Sequence, residues 1–309
     1  MKIKELEVDK TGILVCLVKE VQECMTRTNK PYVVVTLSDV DKTEIKAKMW
    51  DTTKADFEAI DSRLIYCSIA VSMYNGNLNY VVKQFREATE DEANIADFIK
   101  SAPLSGNKMY SDIFNFAQKF EDQDYGRLIC NILQNHKEHM LYWSAAKAIH
   151  HNMIGGLLYH TYRMLETACN LSDIYSFNRE LLYTGVILHD IGKLVELNTN
   201  QEGIAEYSVE GSLLGHSLLG CDMILQYGDK LSLPKEKIMV LRHMLAAHHG
   251  KLEWGAIQEP MIPEAFLLNY LDIIDSKMFQ LEALDISPGT LSEKIFGLEN
   301  KRIYQPLFS

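Results

Sequence analysis

The segment LLYTGVILHDIGK, residues 181–193, is typical of an apolar helix that ends in a histidine–aspartate pair. Ile191-Gly192 follows the pair and interrupts the helical pattern. A carboxylate at the carboxyl end of a helix is unfavourable, because the helix dipole is negative there. The position of Asp190 beside His189 therefore indicates a compensating cation.

Further predicted helices surround this segment. From Tyr110 onward, apolar residues recur at intervals of three and four, and strand patterns are few. These helices contain more histidines and aspartates flanked by apolar residues: His160, His216, the pair His248-His249, and Asp272. Taken singly, each histidine has a simpler explanation: a hydrogen-bonded core residue, a helix cap or a surface residue. A carboxylate such as Asp272 inside an apolar helix is costly, however, unless it is paired or bound to a metal.

Together these residues predict a divalent-metal site. Imidazole and carboxylate ligands suit Mn²⁺, Fe²⁺, Mg²⁺ or Zn²⁺, and the absence of cysteine among the candidates argues against a structural zinc site. Two ions could share the set, with Asp190 bridging them and histidines from different helices completing each coordination sphere. Such a site makes hydroxide at neutral pH, so it favours hydrolytic chemistry.

Residues 12–85 have a different pattern, which predicts five strands. A short helix is expected from Thr53 to Ile60, between the third and fourth strands. Asn75-Gly76-Asn77 is a strong hairpin signal between the last two. This order predicts an OB-fold, a small barrel that commonly binds oligonucleotides. We expect a multidomain α+β chain, with a five-stranded OB-fold barrel in front of an all-α domain. The predicted boundaries are residues 1–88 for the barrel, 89–110 for a linker, and 111–309 for the helical domain with its C-terminal tail.

The composition is that of a soluble globular protein, with 47% hydrophobic and 24% charged residues. We see neither an apolar run long enough for a membrane span nor a signal peptide, and the six cysteines are scattered, so we expect a cytoplasmic protein with no membrane partner. The net charge of −11 disfavours a nucleic-acid partner. It does not exclude one, because residues 1–90 carry 13 Lys or Arg against 14 Asp or Glu. Bound divalent cations would also add positive charge where a phosphate must lie.

The series His160 … His189-Asp190 … Asp272 resembles the signature of the HD-domain metal-dependent phosphohydrolases. The strings GGLLYHT, LHDIGK and AHHG are similar to that family's sequences, and His216 and His248-His249 resemble the ligands of its two-metal members. With the OB-like segment in front, the chain resembles the YhaM-type 3′–5′ exoribonucleases over essentially its whole length. The assignment to exoribonuclease depends on the domain order.

The resemblance implies roles for individual residues. The first ion would be held by His160, His189, Asp190 and Asp272. The second would be held by His216 and His248, with Asp190 shared, and two ions are expected, with Mn²⁺ favoured over Fe²⁺, Mg²⁺, Zn²⁺ or Co²⁺. Asp190 and Lys193 would be catalytic, with Lys193 facing the scissile phosphate. Three further residues are candidates for a metal, phosphate or substrate contact: His249, His151 and Asp275. For Asp275 the alternatives are a metal ligand and a partner that supports a ligand.

The strand EIKAKMW, residues 44–50, alternates strictly between two faces. If Ile45, Ala47 and Met49 face the core, then Lys46, Lys48 and Trp50 present a cation–aromatic–cation strip outward. Bases stack on exposed aromatic rings while cations follow the backbone, so this strip predicts single-strand binding. The further candidates for contact with nucleic acid are Arg27 and the aromatics Tyr32, Tyr74, Tyr80 and Phe85. The alternative is that each of these aromatic side chains fills the barrel interior and does not touch nucleic acid.

Three hypotheses follow. In the first, the barrel guides single-stranded RNA, and also single-stranded DNA, to the helical domain, which removes nucleotides from the 3′ end. In the second, the helical domain hydrolyses a small nucleotide or cyclic dinucleotide, and the barrel is regulatory or an oligomerisation surface. In the third, the protein is a catalytically dead binding module, which the intact ligand set disfavours. The native metal, the preference for RNA or DNA, the product length and the oligomeric state, including a homo-oligomer, stay open.

Overall fold

The computed structural model describes residues 1–26, 30–50, 52–58, 63–74, 76–89, 91–99, 101–147, 151–171, 174–200 and 203–308. The chain forms two compact units, Met1–Lys100 and Ser101–Ser309. Among the described residues, no helix has the length and apolar composition that crossing a membrane requires.

The first unit is a closed five-stranded barrel. Its strands are β1 (Thr11–Met25), β2 (Pro31–Ser38), β3 (Glu44–Trp50), β4 (Leu64–Tyr74) and β5 (Asn77–Glu87). They neighbour one another in the order β1-β2-β3-β5-β4, and β1 pairs with β4 to close the barrel. The β3–β5 pairing is parallel and the others are antiparallel. This topology fits the OB-fold and confirms the predicted five-stranded barrel.

Two short helices accompany the strands, α1 (Ala55–Glu58) and α2 (Ile95–Phe98). The first lies between β3 and β4, as predicted, although residues 59–60 of the expected helix lie outside the described residues. In the β4–β5 hairpin, Gly76 adopts a φ of 78°, which suits glycine; Asn75 lies outside the described residues.

The alternation of β3 sets its inner and outer faces. Ile45, Ala47 and Met49 are buried in the barrel core, with Val33, Val35, Leu37, Ile65 and Ile69 among their neighbours. On the other face Lys46 and Trp50 are exposed and Lys48 is half-buried. The predicted division of this strand is therefore confirmed.

The second unit is helical. Its helices are α3 (Gly106–Ala117), α4 (Gln123–Asn135), α5 (Lys137–Met140), α6 (Gly156–Leu171), α7 (Arg179–Leu188), α8 (Lys193–Glu196), α9 (Val209–Lys230), α10 (Lys235–Ala247) and α11 (Pro263–Glu282). Their apolar faces form one core, which includes Leu128, Ile132, Leu158, Leu182, Leu245 and Leu268. After α11 the chain forms isolated bridges, Leu291 with Tyr304 and Ile295 with Lys301.

Two local features differ from the sequence prediction. A small antiparallel sheet, β6 (Leu197–Thr199) with β7 (Ala205–Tyr207), interrupts the otherwise helical unit. Strands this short have no periodicity from which to predict them. Helix α3 begins at Gly106, inside the segment 89–110 that we assigned to the linker. The reason is that the Ser105 side chain accepts a hydrogen bond from the amide of Lys108 at 3.3 Å, so this serine caps a helix.

Candidate metal centre

Five helices of the second unit bring the predicted ligands together. The ligands are His160 on α6, His189 and Asp190 at the end of α7, His216 on α9, His248 and His249 at the end of α10, and Asp272 on α11. Gly215 has a φ of 70°, which breaks α9 just before His216. Glycine allows this conformation without strain, so α9 restarts with His216 at the site.

The first cluster contains His160, His189, Asp190 and Asp272. The Nε2 atom of His160 lies 3.2 Å from Nε2 of His189 and 3.3 Å from Oδ1 of Asp272. The Nε2 atom of His189 lies 3.3 Å from Oδ2 of Asp190. Both histidines are fully buried.

The second cluster lies on the other side of the same carboxylate. The Nε2 atom of His216 lies 3.4 Å from Oδ1 of Asp190 and 3.4 Å from Nε2 of His248. Potential ligand atoms of His216, His248 and His249 all lie within 4.8 Å of one another. Asp190 thus faces the first cluster with Oδ2 and the second with Oδ1, so the two clusters share this carboxylate.

These spacings fit a cation. With bonds of about 2.1 Å, neighbouring ligand atoms around a metal ion lie roughly 3.0–3.4 Å apart, depending on the coordination angle. The closest contacts in the two clusters, 3.2, 3.3 and 3.4 Å, fall in this range.

The hydrogen bonds on the far side of each imidazole support the same conclusion. The Nδ1 atom of each of four histidines faces an acceptor: Oδ2 of Asp275 for His160 at 2.7 Å, the Val186 carbonyl for His189 at 2.8 Å, Oε1 of Glu196 for His216 at 3.0 Å, and the Leu245 carbonyl for His248 at 2.6 Å. In the neutral form that binds a metal, Nδ1 of each ring therefore carries the hydrogen and Nε2 keeps the lone pair. In that form, four lone pairs directed at one another and at two carboxylates repel unless cations lie between them.

The electrostatics of the carboxylates favour bound positive charge. Burial would raise the pKa of Asp190, but Lys193 and the surrounding histidines hold it well below its usual value. Burial likewise opposes ionisation of Asp272, and the hydrogen bond with His160 lowers its pKa despite this. For His248, burial and the neighbouring histidines lower the pKa, so this ring stays neutral and able to bind a metal.

Lys193 lies beside the bridging carboxylate. Its Nζ is 2.7 Å from Oδ2 of Asp190, and the residue is buried. Burial alone would lower its pKa, but Asp190 raises it, so the ammonium keeps its proton. The indole N–H of Trp143 donates to the Lys193 carbonyl at 2.9 Å and holds this turn in place.

Asp275 lies behind His160. Its Oδ2 accepts from His160 Nδ1 at 2.7 Å and from His151 Nε2 at 2.8 Å, and its Oδ1 accepts from Arg163 Nε at 2.6 Å. Although His151, His160 and Asp275 could be taken for a third metal group, these separations are those of direct hydrogen bonds. The structure therefore places Asp275 and His151 as a support for the His160 ring. His151 itself is buried and stacks on Phe279 at 3.8 Å.

His249 lies at the second cluster, with its ring centroid 5.1 Å from that of His216 and 4.0 Å from that of His248. It is half-buried, and burial lowers its pKa. Neutral and close to both rings, it is placed either to complete the second cluster or to meet a substrate there.

Sequence reasoning missed three residues that support the site. Glu196 accepts both the backbone N–H and the ring N–H of His216, each at 3.0 Å. Arg163 holds Asp275, and Asn269 donates to the His248 carbonyl at 2.7 Å. Each lies three residues from a predicted site residue: Glu196 after Lys193, Arg163 after His160, and Asn269 before Asp272. That helical spacing was the available signal.

In the barrel, two of the predicted contact residues are neighbours. Tyr32 on β2 pairs with Trp50 on β3, and their ring centroids are 4.8 Å apart. The ammonium of Lys48 donates to Oδ1 of Asn79 at 3.2 Å, and Lys46 is exposed. Arg27 lies outside the described residues.

Comparison with known families agrees with this geometry. Residues 157–277 match the family model described as HD domain, and this range contains every residue of the two clusters. No solved structure gave a significant match to the chain. The chain is therefore a closed five-stranded barrel followed by a helical HD domain, a domain that binds divalent metals and indicates a metal-dependent phosphohydrolase.

Proposed function

We propose that this protein is a metal-dependent 3′–5′ exonuclease that hydrolyses single-stranded RNA, with single-stranded DNA as a second substrate. The observation that carries the proposal is that one carboxylate, Asp190, is shared between two histidine clusters. The same chain has a barrel on which the exposed Trp50 ring lies beside that of Tyr32. The direction of cleavage comes from the resemblance in domain order described above.

Two divalent ions, with Mn²⁺ favoured, would supply the Lewis acidity for hydrolysis of a phosphodiester. His160, His189, Asp190 and Asp272 would hold the first. His216 and His248, with Asp190 shared, would hold the second. Asp275 and Glu196 fix the rings of His160 and His216, which keeps their Nε2 lone pairs aimed inward.

Lys193 is suited to the catalytic role predicted for it. Its ammonium is buried, keeps its proton, and lies next to the bridging carboxylate. A fixed positive charge here would stabilise the negative charge that develops on a phosphate during hydrolysis. The ammonium pairs with Oδ2 of Asp190 at 2.7 Å.

The barrel would contribute affinity for the single strand. Tyr32 and Trp50 offer adjacent aromatic rings, and Lys46 and Lys48 alternate with Trp50 on the outer face of β3. Stacked bases and neutralised phosphates are the two components of binding to a single strand without sequence preference.

The decisive experiment is to incubate the protein with Mn²⁺ and a 5′-labelled single-stranded RNA and to resolve the products on a gel. We expect a ladder that shortens from the 3′ end. Asp190→Ala should abolish the ladder, because this residue belongs to both clusters. Asp229→Ala, which removes an exposed carboxylate near the end of α9, is the matched control and should retain it.

An RNA left intact by the wild-type protein, with a small phosphodiester cleaved under the same conditions, would refute the exonuclease. That result would favour hydrolysis of a small nucleotide or cyclic dinucleotide. A wild-type protein that binds no metal and is not activated by Mn²⁺ would refute both activities.

A further inference from the structure

The metal centre opens to solvent on one side. His160 and His189 are fully buried, whereas the side chain of Asp272 is 18% exposed and that of His216 is 14% exposed. His249 is also half-buried. A substrate therefore reaches the centre past Asp272, His216 and His249.

A tight loop follows His249 at this opening. The Lys251 carbonyl accepts the amides of Trp254 at 3.0 Å and Ala256 at 3.1 Å, which closes the loop on itself. The Ile257 amide donates to the Ala246 carbonyl at 2.9 Å, which ties the loop to the end of α10. These bonds give the loop a defined shape.

The loop lies against the His249 ring. A side-chain carbon built on Gly255 would be 3.6 Å from Nδ1 of His249, and Gly255 has a φ of 95°, a conformation that suits glycine. Trp254 is thus one residue from the backbone that lies against His249 of the second cluster. Its side chain is nevertheless 52% exposed.

A cation accompanies this exposed ring. Nζ of Lys251 lies 4.5 Å from the centroid of the Trp254 ring. Lys251 is itself exposed, and its contact with Glu253 is a loose one of 3.6 Å between solvent-exposed groups. An ion pair of this kind contributes little, so a phosphate could displace it.

We propose that Trp254 and Lys251 form a nucleotide subsite beside the metal centre, where the Trp254 ring stacks on a base and the Lys251 ammonium neutralises a phosphate. The proposal rests on the exonuclease function above and extends it. What distinguishes Trp254 from the other exposed aromatic rings is its position, beside an exposed lysine and on the loop that lies against His249. The subsite would hold a nucleotide at the scissile end, separately from any contact with the barrel.

Kinetics on a single-stranded RNA oligomer test the subsite. Trp254→Ala should raise KM at least about fivefold with a smaller change in kcat, since one stacked base contributes that much affinity or more. Trp254→Phe should restore most of the affinity, because phenylalanine retains an aromatic face. Lys251→Gln should raise KM and weaken its dependence on salt. Leu252→Ala, an exposed apolar residue in the same loop, is the matched control and should leave KM unchanged.

Glu253 provides a test in the opposite direction. Its carboxylate competes with a phosphate for Lys251, so Glu253→Gln should lower KM. If the loop had only a structural role, Glu253→Gln would not lower KM.

Fluorescence tests binding without requiring activity. The chain has three tryptophans, and Trp50→Phe removes the exposed one in the barrel. In that background, adenosine 5′-monophosphate should quench the emission of the full-length protein, and adding Trp254→Phe should remove the quenching. The probe is the nucleotide itself, so this result does not depend on whether RNA is cleaved.

The outcomes separate the two proposals. RNA cleavage with the same KM in the wild type and Trp254→Ala refutes the subsite and leaves the exonuclease standing. Absence of RNA cleavage by the wild type refutes the exonuclease, and the fluorescence titration then decides the subsite alone. Quenching that is as strong in the Trp254→Phe protein as in the Trp50→Phe background also refutes the subsite, because Trp143 alone would then account for it.

Discussion

Asp275 holds His160 from behind: its Oδ2 accepts the ring N–H of His160 at 2.7 Å, while the opposite nitrogen of that ring lies 3.3 Å from Asp272. One carboxylate thus orients the ring and another faces the expected ion. This arrangement is common around metal-binding histidines, where the outer carboxylate fixes the tautomer and increases the basicity of the ligand.

Replacing Asp275 should therefore weaken metal binding without removing a ligand. We expect Asp275→Asn to lower the affinity for Mn²⁺ by about 10- to 100-fold, because the amide carries no charge to support His160. Calorimetric titration with Mn²⁺ measures this directly. Asp285→Asn, an exposed position just beyond α11, is the control. Equal Mn²⁺ affinities for Asp275→Asn and the wild type would show that Asp275 does not support a ligand.

The division of Asp190 between two clusters predicts different metal contents for two variants. His216→Ala removes a ligand from the second cluster only, so we expect the protein to retain one ion where the wild type retains two. Asp190→Ala affects both clusters and should bind neither ion tightly. Elemental analysis of the purified proteins after dialysis against Mn²⁺ measures the metal-to-protein ratio. A ratio of one in the wild type would contradict the two-ion arrangement.

Lys193 should affect turnover more than metal binding. Lys193→Ala removes the buried ammonium beside Asp190, and we expect kcat on RNA to fall by about 100-fold or more. The metal content should be retained, because bound ions compensate the charge of Asp190. Lys193→Arg keeps the charge and should recover part of the activity. A fall in kcat caused entirely by loss of metal would instead assign Lys193 a structural role.

The metal-free centre should respond to pH through His160. Burial would lower its pKa, but hydrogen bonds with Asp272 and Asp275 raise it to about 9, above the ordinary value of 6.5. The stabilisation from this proton is complete below about pH 6.5 and is lost as the pH rises through about 9. The Tm of the chelated protein should therefore fall over this range, and His160→Gln should lack that fall. Mn²⁺ must displace the same proton, so its apparent affinity should rise with pH.

The parts of the molecule differ in how far their structure could be predicted from the sequence. The strand β3 was predictable because its two faces differ at every second residue. The clustering of the candidate ligands was predictable because imidazole and carboxylate side chains are rare in apolar helices. The three-residue spacing from Lys193 could mark Glu196 but not its partner, since the contact depends on a fold that returns His216 to it 20 residues later. The sheet β6–β7 was missed because three-residue strands have no period. Which residues of the two clusters stay partly exposed depends on how the helices pack, which the sequence does not show.

The aromatic pair of the barrel should determine affinity for the single strand. Tyr32 and Trp50 lie side by side across two strands, with centroids 4.8 Å apart, and Trp50 is exposed. Trp50→Ala should weaken binding of a single-stranded RNA by about 1–3 kcal/mol, the contribution of one stacked base. Fluorescence anisotropy with labelled RNA and chelated metal measures affinity while cleavage is prevented. Tyr175→Ala removes an exposed aromatic of the second unit and serves as the control. Unchanged affinity in Trp50→Ala would exclude this face as the binding surface, whereas an equal loss in both variants would mean that binding does not depend on the Tyr32–Trp50 pair in particular.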